Sequence, residues 1–292
     1  MIMLGCDIFT SCKALKISKT NFSLALLKFK IFFLLFLIFI FVKLYISAAT
    51  FFLVFSLYNR LMERVSLIHG SRPIVIVAPH AYCGDDFNTD IIATSIAENM
   101  KCSAIINHGW QKSDYYDFDK DLANCNNIDH MKDVVKDEFL DPLLRLTGKA
   151  LKNNGKVLVV FIHGVSNFVR KAAETSDLDI ILGYGAGIKP SYTCTMGMKD
   201  FIIFDLRRHG LYCFEGKPKG KYSAHSRNNM NQYWRQHELN FAVESIQLEI
   251  VRDLRDDAVI SRITGEYLAD TLQHALSNRF WKGPTAFRTS SI

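Results

Sequence analysis

Pro73-Ile-Val-Ile-Val-Ala-Pro-His-Ala-Tyr-Cys-Gly-Asp-Asp-Phe-Asn-Thr89 decides how the chain is read. Its residues 74–77 are a continuous β-branched run, too short for a helix of ordinary length and stopped by Pro79. Such a run marks a strand buried on both faces, as in a largely parallel sheet. His80 follows at once, Asp85 and Asp86 come five and six residues later, and Asn88 or Thr89 is placed to cap a helix running through Glu98. Open α/β sheets put their chemistry at the carboxyl ends of strands. A histidine and a carboxylate leaving one strand end on a short glycine-containing loop can converge on a metal ion. The competing reading is a surface turn whose Asp residues cap the helix.

The strongest strand signal lies downstream. An Asn153-Asn154-Gly155 turn feeds Lys156-Val-Leu-Val-Val-Phe-Ile162, and His163-Gly164 follows it as His80 follows the first run. Two buried strands that each end in His bring two imidazoles to one edge of a sheet. Residues 245–251 alternate strictly, with Gln247 and Glu249 on one face and Ile246, Leu248 and Ile250 on the other. In a sheet covered by helices on both sides such a Glu faces a partner, of which Arg252 is the simplest.

Further strands are expected at 102–107, 179–182 and, as an edge, 211–214. Helices are expected at 90–99, at 130–152 (split in two by Pro142), at 196–209 and at 260–277. The polar connection 108–129 is long for a loop, and its Trp110, Tyr115, Tyr116 and Phe118 argue for a segment folded over the sheet. Gly183-Tyr-Gly-Ala-Gly187 lacks the full dinucleotide fingerprint and reads as a tight turn. Residues 217–236 collect planar donors, including Arg227, Asn229 and Arg235, which suit a carboxylate or amide substrate; a solvated connection is the alternative. Alternating strands and helices of this kind give an α/β fold with a mostly parallel or mixed sheet flanked by helices.

The net charge of +6 does not describe the body of the chain. Residues 1–61 hold seven Lys or Arg against Asp7 alone, so residues 62–292 carry 28 basic and 28 acidic side chains and are neutral. That leaves no broad basic footprint for nucleic acid. Seven scattered Cys without a C-x-x-C exclude a zinc ribbon or a disulfide framework and read as reduced, mostly buried thiols. Residues 1–61 contain half of all the Phe, and 31–58 are apolar over a length that spans a bilayer, although Lys43 interrupts them. Two expectations follow: a hydrophobic N-terminal helix making a single-pass membrane protein, or an over-extended start with translation from Met62 and a cytoplasmic product. Either way, 62–292 is expected to be a single α/β domain.

Ala-Pro-His80 after a strand, the acid-x-x-Thr spacing of Asp86 and Thr89, the strand-terminal His163-Gly and the late Gln247-Leu-Glu249-Ile resemble the N-formylglutamate amidohydrolase family. That family belongs with zinc-dependent, carboxypeptidase-like hydrolases, and the likeness runs from about Pro73 to Arg255. It implies one Zn2+ per chain held by His80, His163 and a carboxylate, Asp86 favoured over Asp85, with Glu249 as general base. His-Ala-Tyr and His-Gly-Val replace the commoner His-Ser-Gly and His-Ser-Met, which leaves the substrate open: an N-acyl amino acid or small peptide. Two neutral imidazoles and one carboxylate would leave zinc a net positive charge and an open position, the requirement for hydrolytic chemistry. Arg227 or Arg235 would clamp a substrate carboxylate, with Asn229 and Gln247 as further substrate-binding candidates. A serine α/β-hydrolase is the weaker rival, since no G-x-S-x-G elbow exists. A membrane-anchored binding domain that keeps the fold without turnover is the non-enzymatic one.

Overall fold

The two β-branched runs lie side by side in a computed structural model, which describes residues 64–81, 86–110, 123–172, 177–186, 191–237, 242–278 and Trp281. Seven strands form one sheet: β1 (Val65–Ile68), β2 (Ile74–Ala78), β3 (Ser103–Asn107), β4 (Val157–Val165), β5 (Ile180–Gly183), β6 (Cys213–Glu215) and β7 (Val243–Val251). Their order is β1-β3-β2-β4-β7-β5-β6. The central four run parallel, β1 and β5 pair antiparallel with β3 and β7, and β6 runs parallel to β5 at the edge. Every residue of β2, β3, β4 and β7 is buried; β2 and β4 read as near-continuous apolar runs for that reason, whereas β7 carries Ser245, Gln247 and Glu249 at alternate positions.

Four longer helices cover the sheet: α1 (Thr89–Met100), α2 (Asp141–Asn154), α3 (Met196–Arg208) and α4 (Ala258–Ser277). Ile92 and Ile96 of α1, Ile202 of α3 and Leu268 and Leu272 of α4 pack on the face formed by Ile76, Val160 and Ile246. Leu143 and Leu146 of α2 pack on the other face, against Val75, Val159 and Phe161. Residues one apart on a strand therefore serve different layers, and His163 and Glu249 share the face of Phe161. Helices α1 and α4 approach closely because Gly265 has no side chain; a Cβ there would lie 2.6 Å from the Ser95 Cβ.

Several boundaries differ from expectation for identifiable reasons. Strand β4 does not stop at Ile162: it stays paired with β7 through His163–Glu249 to Val165–Val251, so both candidate site residues sit inside the ladder. Pro142 does not split the second helix. A π-helical turn at Lys136–Leu140 precedes it, and the Asp141 N–H reaches back to the Lys136 carbonyl. The wider turn accommodates a ring that would otherwise clash with the carbonyl four residues earlier. Asn88 does not cap α1 with its side chain; it takes a left-handed conformation (φ 65°) and its amide donates instead to the Arg255 carbonyl at 2.9 Å. The edge strand β1 was not anticipated, being only four residues long with one apolar residue exposed. The expected N-terminal hydrophobic helix and the membrane span at 31–58 lie outside the described residues, among which no helix is long and apolar enough to cross a membrane.

Candidate active site

The site is assembled where β2, β4 and β7 end. Chain direction after β2 is set by Asn107 at the end of β3, whose amide donates to the Pro79 carbonyl at 2.7 Å and to the Trp110 carbonyl at 2.8 Å. The turn so fixed presents His80. Its Nε2 lies 2.9 Å from Asn124 Oδ1, and the same oxygen accepts from the Asn126 N–H at 3.0 Å, which identifies it as the acceptor. His80 Nε2 therefore donates to Asn124, which turns the ring so that Nδ1 faces Asp86. That Nδ1 is 3.5 Å from Asp86 Oδ2. From β4, His163 Nδ1 comes to 3.0 Å from the same oxygen, and the two imidazoles meet edge to face with centroids 5.3 Å apart. One ligand atom from each of His80, Asp86 and His163 lies within 4.8 Å of the other two.

Glu249 stands directly across the β4–β7 ladder from His163, on the same face of the sheet. It pairs with the strand residue two before it, not with Arg252: Gln247 Nε2 donates to Glu249 Oε1, and Gln247 Oε1 accepts from Asn229 Nδ2 at 3.1 Å. Arg252 turns away to Asp256 and the Phe87 ring. The electrostatics separate the two carboxylates. Burial pushes Glu249 up to about 7, the Asp86 charge adding to it and His163, Gln247 and Lys221 opposing it. Burial also acts to raise Asp86, but the hydrogen bonds and charges of His163 and His80 prevail and hold it well below the usual carboxylate range. His163 is raised: burial opposes its charge, and Asp86 and Glu249 together outweigh burial. One ionised acid beside one acid poised near neutrality is the division of labour expected of a hydrolytic site.

His80, Asp86, His163, Glu249, Gln247 and Asn229 are thus brought together. Asp85 lies outside the described residues. Arg227 and Arg235 do not join this group: Arg227 is exposed, and Arg235 donates to Gln232 at 2.8 Å. Much of the polar stretch they belong to holds the fold, with Gln232 bonded to the Ser191 and Ala224 carbonyls and Asn231 to Thr193. Sequence reasoning missed Asn124 and Asn107, which orient His80 and its turn. It also missed Arg255, fully buried, whose guanidinium donates to the carbonyls of Phe87, Val165 and Ile250. Those three carbonyls flank Asp86, His163 and Glu249, so Arg255 ties the strand ends to one another. Asn107, as the polar end of an apolar strand, was the one legible signal. Trp110, Ala123 and Cys125 of the connection at 108–129 do pack over the sheet, while Tyr115, Tyr116 and Phe118 lie outside the described residues. Gly185 takes φ 80°, the tight turn expected there.

The donor set suits zinc: two imidazole nitrogens and one carboxylate, with Asp86 and His163 buried and His80 half-buried. His80 has its second nitrogen held by Asn124, as metal-bound histidines usually do. Asp205, His209 and His274 form a second grouping of the same types on α3 and the last turns of α4, under the opposite face of the sheet. There Asp205 also faces the Arg208 guanidinium at 3.4 Å, a cation that competes with any metal. Only imidazoles bond to Asp86 among the described residues, which favours the first grouping.

No protein-family model matches the sequence, and no curated protein does. Among solved structures, the chain is similar to an Agrobacterium tumefaciens gene product, at 14% identity and TM-score 0.50 over 74% of this chain and 95% of that one. It is similar to an N-formylglutamate amidohydrolase from Ralstonia eutropha, at 16% identity and TM-score 0.47 over 74% and 98%. It is also similar to a metallo-carboxypeptidase from Burkholderia cenocepacia, at 10% identity and TM-score 0.41 over 73% and 65%. The structures to which the chain is similar thus include the amidohydrolase and carboxypeptidase types that its motifs resemble, and the likeness is one of fold.

Proposed function

We propose that this chain is a zinc-dependent amidohydrolase that cleaves the amide of an N-acyl amino acid or small peptide. The observation that carries the reading is the convergence of His80 Nδ1, His163 Nδ1 and Asp86 Oδ2 beside a buried Glu249 poised near neutrality. His80, Asp86 and His163 would hold the ion, one per chain. A zinc ion held there would supply Lewis acidity, polarising the scissile carbonyl and lowering the pKa of water to about 7. Glu249 takes one proton from the attacking water as its oxygen bonds to the carbonyl carbon. It returns that proton to the leaving nitrogen as the C–N bond breaks, giving a carboxylic acid and an amine; the acid then ionises and its proton goes to the amine as a carboxylate and an ammonium leave. Gln247 holds the Glu249 carboxyl in place and is itself held by Asn229, so the base is oriented before substrate arrives. Arg227 and Arg235 remain candidates for binding a substrate carboxylate from the loop that carries Asn229.

Elemental analysis and kinetics test this together. The purified protein should contain about one zinc per chain. His163→Ala should lose it, and Glu249→Gln should keep the metal while kcat falls about 10²- to 10⁴-fold. A folded protein that takes up no zinc on supplementation, or a Glu249→Gln variant with undiminished turnover, would sink the proposal.

A further inference from the structure

Beside the catalytic group lies a cleft of about 580 Å³ with walls of Phe168, Val169, Leu178, Ile181, Phe214 and Tyr222. Its position follows from the sheet. Ile181 of β5 is the direct antiparallel partner of Glu249, so the two side chains project from the same face. Val169, Leu178 and Ile181 pack in one cluster with Val165 and Val251, the residues two beyond His163 and Glu249 on their strands. The apolar walls therefore begin where the candidate catalytic residues end. The polar residues of the cleft are few. Glu215 is already engaged by Lys199 and by the Tyr184 hydroxyl at 2.8 Å. Lys217 and Lys221 are exposed, and the Lys221 ammonium lies 5.2 Å from the ring centroid of Tyr222, beside which it lines the cleft.

We propose that this cleft receives the large apolar side chain of an N-acyl amino acid whose free carboxylate pairs with Lys221. The proposal rests on the hydrolase reading and names its substrate class. A volume of this size holds a side chain such as benzyl or isobutyl with the amino-acid backbone at the mouth. An acidic side chain would give up its hydration among Phe168, Leu178, Ile181 and Phe214, while the lysines of the lining, Lys217 and Lys221, are exposed and not among those apolar walls. The carboxylate of the substrate stays at the rim, where the exposed Lys221 lines the cleft and no buried pair has to form.

Two measurements test the assignment separately from the hydrolase reading. In the first, the zinc-loaded protein is assayed with N-formylphenylalanine, its carboxamide, N-formylglycine and N-formylglutamate. N-formylphenylalanine should exceed N-formylglycine and N-formylglutamate on the order of 10- to 100-fold in kcat/KM, the range that apolar side-chain burial commands. Blocking the carboxylate as an amide, or Lys221→Ala, should cost about tenfold, and Phe168→Asp, at an exposed wall position, should collapse the phenylalanine-to-glycine ratio toward one. Preference for N-formylglutamate, or loss of carboxylate dependence in Arg227→Ala and not in Lys221→Ala, overturns the assignment and leaves the hydrolase reading standing. In the second, calorimetry follows N-acetylphenylalanine binding to the Glu249→Gln variant. Binding that weakens on Lys221→Ala supports the cleft even if the protein turns nothing over; no binding overturns it.

Discussion

Glu249→Gln should change the stability of the metal-free protein in a pH-dependent way, and the size can be worked from the site. An exposed glutamate titrates near 4.5, whereas burial beside Asp86 pushes Glu249 up to about 7. The folded state therefore keeps this proton through a window in which the unfolded chain has released it. Below pH 4.5 the carboxyl is neutral in both states and costs nothing. As pH rises from 4.5 to 7 the folded protein loses stability, and above 7 the full cost of a buried carboxylate is present. A tenfold difference in proton affinity is worth about 1.4 kcal/mol, so the cost above pH 7 is about 3 kcal/mol. The variant removes the charge and keeps an amide oxygen for the Gln247 donor. Chelator-treated variant and wild type should melt within a few degrees of each other at pH 5. At pH 8 the variant should melt higher by about 6–12 °C, taking about 2–4 °C per kcal/mol for a domain of this size. Gaining stability on losing the carboxylate is what a group held at a cost to the fold predicts, as the proposed role of Glu249 requires. Equal shifts at both pH values, or a variant less stable at pH 8, would refute the burial of an ionisable Glu249.

Two further outcomes concern the residues that hold the site in place. Asn124→Ala removes the acceptor that fixes the His80 tautomer and should weaken zinc binding about 10- to 100-fold in a chelator competition, with the circular dichroism spectrum unchanged. Arg255→Met leaves the carbonyls of Phe87, Val165 and Ile250 without their buried donor and should cost about 3 kcal/mol or more in denaturant unfolding.

What could be read from the sequence follows from what each signal depends on. Strands β2 and β4 were legible because burial on both faces forces apolar residues along them, and β7 by its strict alternation; His80 just beyond β2, His163 within β4 and Glu249 on the polar face of β7 stand out against those patterns. The bond between Gln247 and Glu249 follows from the period of a strand, which puts residues two apart on one face. Asn124 was not legible: it belongs to a connection with no period, and it reaches His80 only because residues on either side of it join the core through Ala123 and Cys125. Nor was the cleft legible, since its walls come from four separate segments, around Phe168, Leu178, Phe214 and Tyr222, and the strands expected at 179–182 and 211–214 did not reveal that they enclose a cavity with the other two. Arg227 and Arg235 drew attention as guanidiniums in a polar loop, yet charge type alone does not reveal direction. Arg255, at the end of β7, was read only as the limit of a motif.

Arg255 also explains how a fold this ordinary can hold three donors within 4.8 Å of one another. His80 and Asp86 lie on either side of a short connection after β2, His163 lies inside β4, and Glu249 lies inside β7. The ladder fixes the last two to each other residue by residue, but nothing in a sheet fixes the connection that carries Asp86. The guanidinium supplies that restraint, since its donors reach the Phe87, Val165 and Ile250 carbonyls from a single planar group. Asn88 closes the arrangement by donating to the Arg255 carbonyl, which accounts for its left-handed backbone and for the absence of a side-chain cap on α1. The strain at Asn88 and the buried charge of Arg255 are features that packing alone would not favour. Both make sense if what they maintain is the 3.0 Å approach of Asp86 to His163, beside Glu249.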